Sequence, residues 1–331
     1  MLVLHKSALK NSCTFIMTLM MFAFVHFDAL AQPTPAYPAQ PIRLYVGSVP
    51  GASSDTYARI ISEPLGKVLG QSIVIENRSG ASGIIATSNM INLPADGYTL
   101  QLIYTPHTLS PYLFKKLNYD PIKDITGISM LLTSPLVLVV GGNSQVKTYQ
   151  ELVELGKTRP LNYGSAGVGS GGHLSGEMLR IQTGMNLTHV PYRGAAPAAT
   201  AVAAGDVDFA FVAQITAKEL TSANKLRLLG VTSKVRSPAL PQIPTMQEYG
   251  LKDFEFLNWF GLIASAKTPP DIIKKINRAV IEVLKQPDIK ARLTADGSEI
   301  IGNGPEQFTQ FLVTDTKRWG PMISQMGLKG D

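Results

Sequence analysis

From residue 42 onward, short apolar runs alternate with helix-period segments, and small-residue turns join them. "IRLYVG" passes through "SVPGASSD" into Tyr57, Ile60, Ile61, Leu65 and Val68, which recur at helical spacing. "SIVIENR" leads through "GASG" into a helix over 84–93, and "ADGY" turns into a strand over 98–105. The order continues with "SPLVLVVGG", a helix near 149–157, "LNYGSA", "HLSGEMLRIQTG", "LTHVPYR", a helix near 197–204, "DVDFAFVA" and "LRLLGVTS". Two helical segments over 270–293 and 305–326 close the chain. Such alternation predicts an α/β architecture with parallel strands. In the first turn, Ser53 or Ser54 is expected to cap the helix, with Asp55 at its positive end.

Two segments are too long and apolar for ordinary strands of this series: "LLTSPLVLVVGG" over 131–142 and "FEFLNWFGLIASA" over 254–266. They bracket roughly 110 residues of strand–helix pattern, enough for a domain. One domain inserted in another through two extended crossings makes a hinged cleft. The expected division is 36–134 plus 258–331 for the first domain and 135–257 for the second. Ligands of open α/β sheets bind beyond the carboxyl ends of the strands, so both sets of strand ends are expected at the cleft.

The N-terminus has the grammar of a secretory signal peptide. Lys6 and Lys10 precede an apolar run over 15–27, and Ala29, Leu30 and Ala31 form a small-x-small cleavage signal. The run is shorter than the ~20 residues of a membrane span. Residues 1–31 are therefore expected to be removed on export. The single cysteine, Cys13, leaves with them, so no disulfide, thiol nucleophile or cysteine metal site is expected in the mature chain. The chain carries a net charge of +6, with no dense basic run, which argues against a nucleic-acid partner.

The most distinctive turn is "NYGSAGVGSGGHLSG". "GVGSGG" matches a dinucleotide fingerprint in form, but the next strand, "LTHVPYRG", offers no acid for a ribose. None of Ser165, Ser170 and Ser175 sits in G-x-S-x-G. Three histidines beyond the leader, His107, His173 and His189, make a poor metal set without cysteine. No cofactor and no metal are expected. What remains is a backbone cradle: glycines let N–H groups approach a ligand, and a helix N-terminus adds positive potential. A tight strand-to-helix turn explains this loop equally well by itself. "GSVPGASSDTYAR" repeats the arrangement, and two such loops facing each other suit a carboxylate ligand. Neither carries an Arg or Lys within the turn, so the expected grip is amides, hydroxyls and water.

In order, "YPAQPIRLYV", "PGASSDTYAR", "LGQSIVIENRSGASG", "ADGYTL", "LNYGSAGVGSGGHLSGE", "HVPYRG" and "KLRLLGVTS" resemble the Bug family, the periplasmic substrate-binding proteins of tripartite tricarboxylate transporters. The resemblance covers the chain beyond the leader. It implies a two-lobed periplasmic binding protein of the Venus-flytrap, type II-like form, each lobe a mostly parallel sheet flanked by helices. It implies a monomer in the periplasm that hands a dicarboxylate or aromatic carboxylate to membrane permease subunits, without catalysis. Carried over by position, it places the ligand at Pro50, Gly51, Ala52, Ser53 and Asp55 and at Ser165, Ala166, Gly169, Ser170 and His173. Val49 stands where the family usually has proline, and Ala52 where it usually has glycine. "DVDFAFVAQ" ends on the apolar Val212 and Ala213, where many relatives place a group for a ligand amine. That leaves room for an apolar or aromatic carboxylate, with Tyr104 and His107 lining the pocket. Two other readings are a receptor signalling to a membrane sensor and an exported hydrolase using Ser170 or Ser53 with His173.

Overall fold

A computed structural model describes residues 36–328. The signal peptide expected over 1–31 lies outside them. Among the described residues no helix is long and apolar enough to cross a membrane.

Ten strands form one continuous network. On one side, β1 (Ile42–Val46) pairs in parallel with β2 (Ile73–Asn77) and β3 (Thr99–Tyr104). On the other, β5 (Leu161–Ser165) pairs in parallel with β6 (Leu187–Pro191) and β7 (Phe209–Ala213). Helices make the crossovers, as parallel neighbours require. They are α1 (Ser53–Leu69), α2 (Ile84–Ile91) and α3 (Pro106–Leu113) on the first side. On the second they are α4 (Tyr149–Thr158), α5 (Gly171–Thr183), α6 (Ala195–Ala204) and α7 (Gln214–Ser222).

The two sides are joined by β4 (Ile125–Gly141), a strand of 17 residues. Its first part, through Pro135, pairs antiparallel with β9 (Leu257–Ser265), which also pairs antiparallel with β3. From Leu136 onward it pairs antiparallel with β7 and with β8 (Leu226–Val231). The long apolar run of the sequence is one strand in two neighbourhoods. Its near-continuous burial explains why it shows no polar alternation. The chain ends in α8 (Pro270–Lys285), α9 (Pro287–Thr294), β10 (Glu299–Ile300) and α10 (Pro305–Met326). The helical run expected over 270–293 is thus two helices. Gln286 is extended (ψ 129°) just before Pro287, as the pre-proline clash demands.

Two details show how small residues admit large ones. Phe308 of α10 is fully buried against Gly127 of β4 and Gly261 of β9. A Cβ at Gly127 would lie 2.9 Å from the ring, and one at Gly261 would overlap it. Asp315 of α10 accepts from Thr108 Oγ1 at 2.6 Å, Trp259 Nε1 at 3.2 Å and Trp319 Nε1 at 3.1 Å. These bonds satisfy a buried carboxylate that would otherwise be costly.

Tyr57 of α1 has no exposed surface, and its hydroxyl donates to Asp296 at 2.6 Å beside Ser298 at 3.0 Å. Its ring meets Phe260 of β9 edge-on at 4.8 Å. Tyr57→Phe keeps the ring but leaves the buried Asp296 carboxylate short of a donor. We expect a stability loss of about 2 kcal/mol, read by chemical denaturation; an unchanged midpoint would refute the bond's contribution.

Candidate functional site

A cleft of about 500 Å³ opens where the carboxyl ends of β1, β3, β5, β6 and β7 meet. Its wall contains the starts of five α-helices: Ser53 of α1, Pro106 of α3, Gly171 of α5, Ala195 of α6 and, at the residue before α7, Ala213. The first helical turn leaves N–H groups without intrahelical partners. Side chains usually satisfy one of them, from Ser, Thr, Asp or Asn at the N-cap. Here Ala52, Gly194 and Ala213 hold the cap positions of α1, α6 and α7 and supply no side-chain bond. Ser170 does cap α5, accepting from His173 N at 3.4 Å. The wall therefore offers backbone donors that the protein itself does not use, at the positive ends of several helix dipoles.

No acidic side chain lines this cleft, and one charged side chain does, Arg193. The wall also carries an aromatic surface. Tyr104 stacks on Phe260 at 6.4 Å, and Phe211 joins them on the wall. Burial pushes the Tyr104 hydroxyl up to about 12, so it remains a neutral donor. A turn over 79–82 completes one rim; Ala81 and Ser82 hold left-handed φ values of 43° and 55°. Non-glycine residues in that region carry strain that surrounding contacts must hold.

Of the residues expected at the ligand, Val49, Ala52, Ser53, Tyr104, Ala166 and Ser170 lie on the cleft wall. Seven do not, and the reasons differ. Pro50 and Gly51 are exposed and do not line the cleft. Asp55 is turned inward. It accepts from Gly51 N at 2.9 Å, Arg59 Nε at 2.9 Å and Asn77 Nδ2 at 2.9 Å. Burial alone raises its carboxyl, but these donors outweigh it and hold the pKa below its ordinary value. Asp55 thus shapes the loop and does not touch the cleft. Nor do Ser53 and Ser54 cap α1 as expected: the helix begins at Ser53, and Ala52 takes the cap position.

His107 is also misplaced by the sequence reading. β3 ends at Tyr104, and a short helix carries His107 inward, where its Nε2 meets the Pro121 carbonyl at 2.8 Å. Burial pushes its pKa down to about 4, against the opposing pull of that carbonyl.

Ser165, Gly169 and His173 build the glycine loop from within. Ser165 is fully buried; its hydroxyl meets His189 Nε2 at 2.6 Å and receives Gly167 N at 3.1 Å. His173 Nδ1 accepts from Gly169 N at 3.2 Å, and its ring stacks on His189 at 3.7 Å. Two parallel imidazoles this close disfavour charge on both rings at once. Burial, and then the His189 charge, push His173 down to about 3; burial pushes the half-buried His189 to about 4, against the Glu177 charge. Gly169 has φ 75°, and a Cβ there would overlap Leu113, so its side-chain direction is away from the ligand space. With Nδ1 on Gly169 and the Ser170 hydroxyl serving as a helix cap, His173 has no geometry for activating Ser170.

Sequence reasoning missed Arg193, Asn258, Phe260, Phe211 and the 79–82 rim. A signal existed for two of them. "PYRGAA" and "NRSGASG" are further small-residue turns between a strand and a helix, the same pattern that marked the first two loops.

Helix N-termini aimed into a cleft between two strand systems that share one crossing strand are the arrangement of a periplasmic binding protein, and the chain's fold matches one, the periplasmic binding protein BugD, with a TM-score of 0.83 at 29% identity, covering 89% of this chain and all of that one. The family model for the tripartite tricarboxylate transporter family receptor matches residues 57–328. The chain belongs to that receptor family. Protein BugT of Bordetella pertussis is 31% identical over 312 residues, covering 92% of this chain and 96% of BugT. Among solved structures, R. palustris Rpa4515 with adipate superposes with a TM-score of 0.85 at 32% identity, covering 89% of this chain and all of that one. MatC (Rpa3494) from Rhodopseudomonas palustris with bound malate gives 0.80 at 31% identity, covering 87% and 100%.

Proposed function

We propose that the protein captures a small carboxylate in this cleft, in the periplasm, and delivers it to the membrane permease of a tripartite tricarboxylate-type transporter. The observation that carries the reading is the convergence of five α-helix starts, four of them without side-chain caps, on a wall free of acids. Amides and helix dipoles at such ends favour an anion. The absence of any carboxylate on the wall disfavours a ligand ammonium, because nothing of opposite charge would receive it. The family, and the adipate and malate held by two similar solved structures, support a carboxylate. The family's description as a transporter receptor supports the permease partner, and the sequence pattern over 1–31 supports export.

Val49, Ala52, Ser53, Tyr104, Ala166 and Ser170 are the expected contacts, with Asp55, Ser165, Gly169 and His173 shaping the loops that present them. We take 36–134 with 258–331 as one lobe and 135–257 as the other. The handover of β4 from β9 to β7 and β8 at Pro135–Leu136 supports that division. Ligand closes the cleft by contacts to both lobes that the open form lacks.

A thermal-shift screen of mono- and dicarboxylates, followed by calorimetry on the best ligand, tests the reading. Saturable binding with compaction in small-angle scattering is expected; no binding by any carboxylate would sink it. Ser170→Ala removes a hydroxyl from the cleft wall and the cap of α5. About a tenfold loss of affinity is expected, and unchanged affinity would remove Ser170 from the site.

A further inference from the structure

Arg193 follows β6 and immediately precedes Gly194, the cap residue of α6. Its place is fixed by the backbone: Tyr192 N donates to the Ser165 carbonyl at 2.9 Å, tying the end of β6 to the glycine loop. The other arginines between 142 and 257 are all engaged. Arg159 pairs with Asp208, Arg180 with Glu177 and Arg236 with Glu248, while Arg227 donates to the Val146 and Gly142 carbonyls. Of these five, only Arg193 has no hydrogen bond or ion pair to the described residues, and it faces solvent on the cleft wall. Gly194 at φ 132° supplies no side chain beside it.

A monocarboxylate held by the uncapped helix starts leaves this guanidinium unmatched. A second carboxylate on the same ligand gives it a planar, bidentate partner, the geometry guanidinium favours. Resting on the carboxylate reading above, we propose that Arg193 is the specificity-determining residue of the cleft. It takes a second carboxylate and selects linear dicarboxylates over monocarboxylates of the same chain length. The rest of the ligand lies on the apolar wall of Phe211, Val212 and Phe260. A carbon chain suits that surface, and no acid is available for an amino group.

Calorimetric titrations with two matched pairs, glutarate against pentanoate and adipate against hexanoate, test this in the wild type, Arg193→Gln and Arg193→Lys. The wild type is expected to favour each diacid. Arg193→Gln should lower diacid affinity roughly 10- to 100-fold and change monoacid affinity less than about twofold. Arg193→Lys, a point charge without the fork, should recover part of the loss, and added salt should weaken diacid binding in the wild type more than in Arg193→Gln. Equal losses for both acids, or no loss for either, would overturn the assignment. A wild type that binds other carboxylates tightly but shows no preference within either pair would overturn it too, while leaving the binding function intact. A wild type that binds no carboxylate at all would remove the function and the assignment together. Melting temperatures of the variants check that the exposed substitution leaves the fold unchanged.

Discussion

Acidification from pH 7 to pH 4.5 should remove about 5 kcal/mol of stability, most of it through two histidines. His107 and His173 are 5% and 4% exposed, and burial holds them at about 4 and about 3. The half-buried His189 sits at about 4 and contributes less. In the unfolded chain all three titrate near the ordinary value of about 6.5. Between that value and about 4 the unfolded state binds protons that the folded state refuses, so stability falls as pH falls through this window. Below the folded values both states are protonated and the slope vanishes. At pH 4.5 each fully buried ring costs about 2 kcal/mol and His189 about half as much. That is a large share of the 5–15 kcal/mol that holds an ordinary domain together. Chemical denaturation at pH 7.5, 6.0, 5.0 and 4.5 reads it directly. His107→Gln should flatten part of the profile; a wild-type profile already flat from 7.5 to 4.5 would show that the rings titrate normally. The glycine loop is held by the neutral His173–His189 stack, so ligand affinity should fall in the same window.

Gly47→Ala should reduce affinity for the best carboxylate at least a hundredfold. Gly47 lies on the cleft wall just after β1, and a Cβ there would lie 2.6 Å from the Gly83 Cα. The obstacle is backbone, so no side-chain rotation relieves it. The first loop and the 79–83 turn must separate by about an ångström, and binding groups misplaced by that much lose roughly two orders of magnitude. The overpacking should also cost about 1–3 kcal/mol of stability. Calorimetry with denaturation on the same sample separates the two effects. Gly51→Ala is the comparison: it carries the left-handed strain of φ 81° but meets nothing within 4 Å and lies off the wall, so its affinity should remain near wild type. Wild-type affinity in Gly47→Ala would mean that the contact between the two loops is not needed.

The alternation of strands and helices was legible because period and turn chemistry are local. β1, β2, β3, β5, β6 and β7 each stand within a run the sequence marks. Elements whose local signal is weak were not legible. α3, "PHTLSPYL", carries two prolines, and α7, "QITAKELTS", buries only Ala217 and so has no apolar stripe to read. The long strand β4 was read six residues short at its start, since Ile125–Met130 owes its extended form to pairing with β9 rather than to its own pattern.

The same boundary runs through the site. Sequence alone determined that small-residue turns begin helices at strand ends, because glycine and serine in that position have few other uses. Which way each side chain points was decided only by tertiary packing. Gly169 and Ser170 are neighbours, yet one backs onto Leu113 and the other faces the cleft. His173 is drawn inward by a stack with His189, a partner sixteen residues away across the parallel β5–β6 pair. Arg193 reaches the wall only because β6 runs parallel to β5 and delivers its end to the same rim as the glycine loop. A turn's sequence sets its dihedrals, but a side chain's exposure depends on what the rest of the chain places against it, and that information is nonlocal.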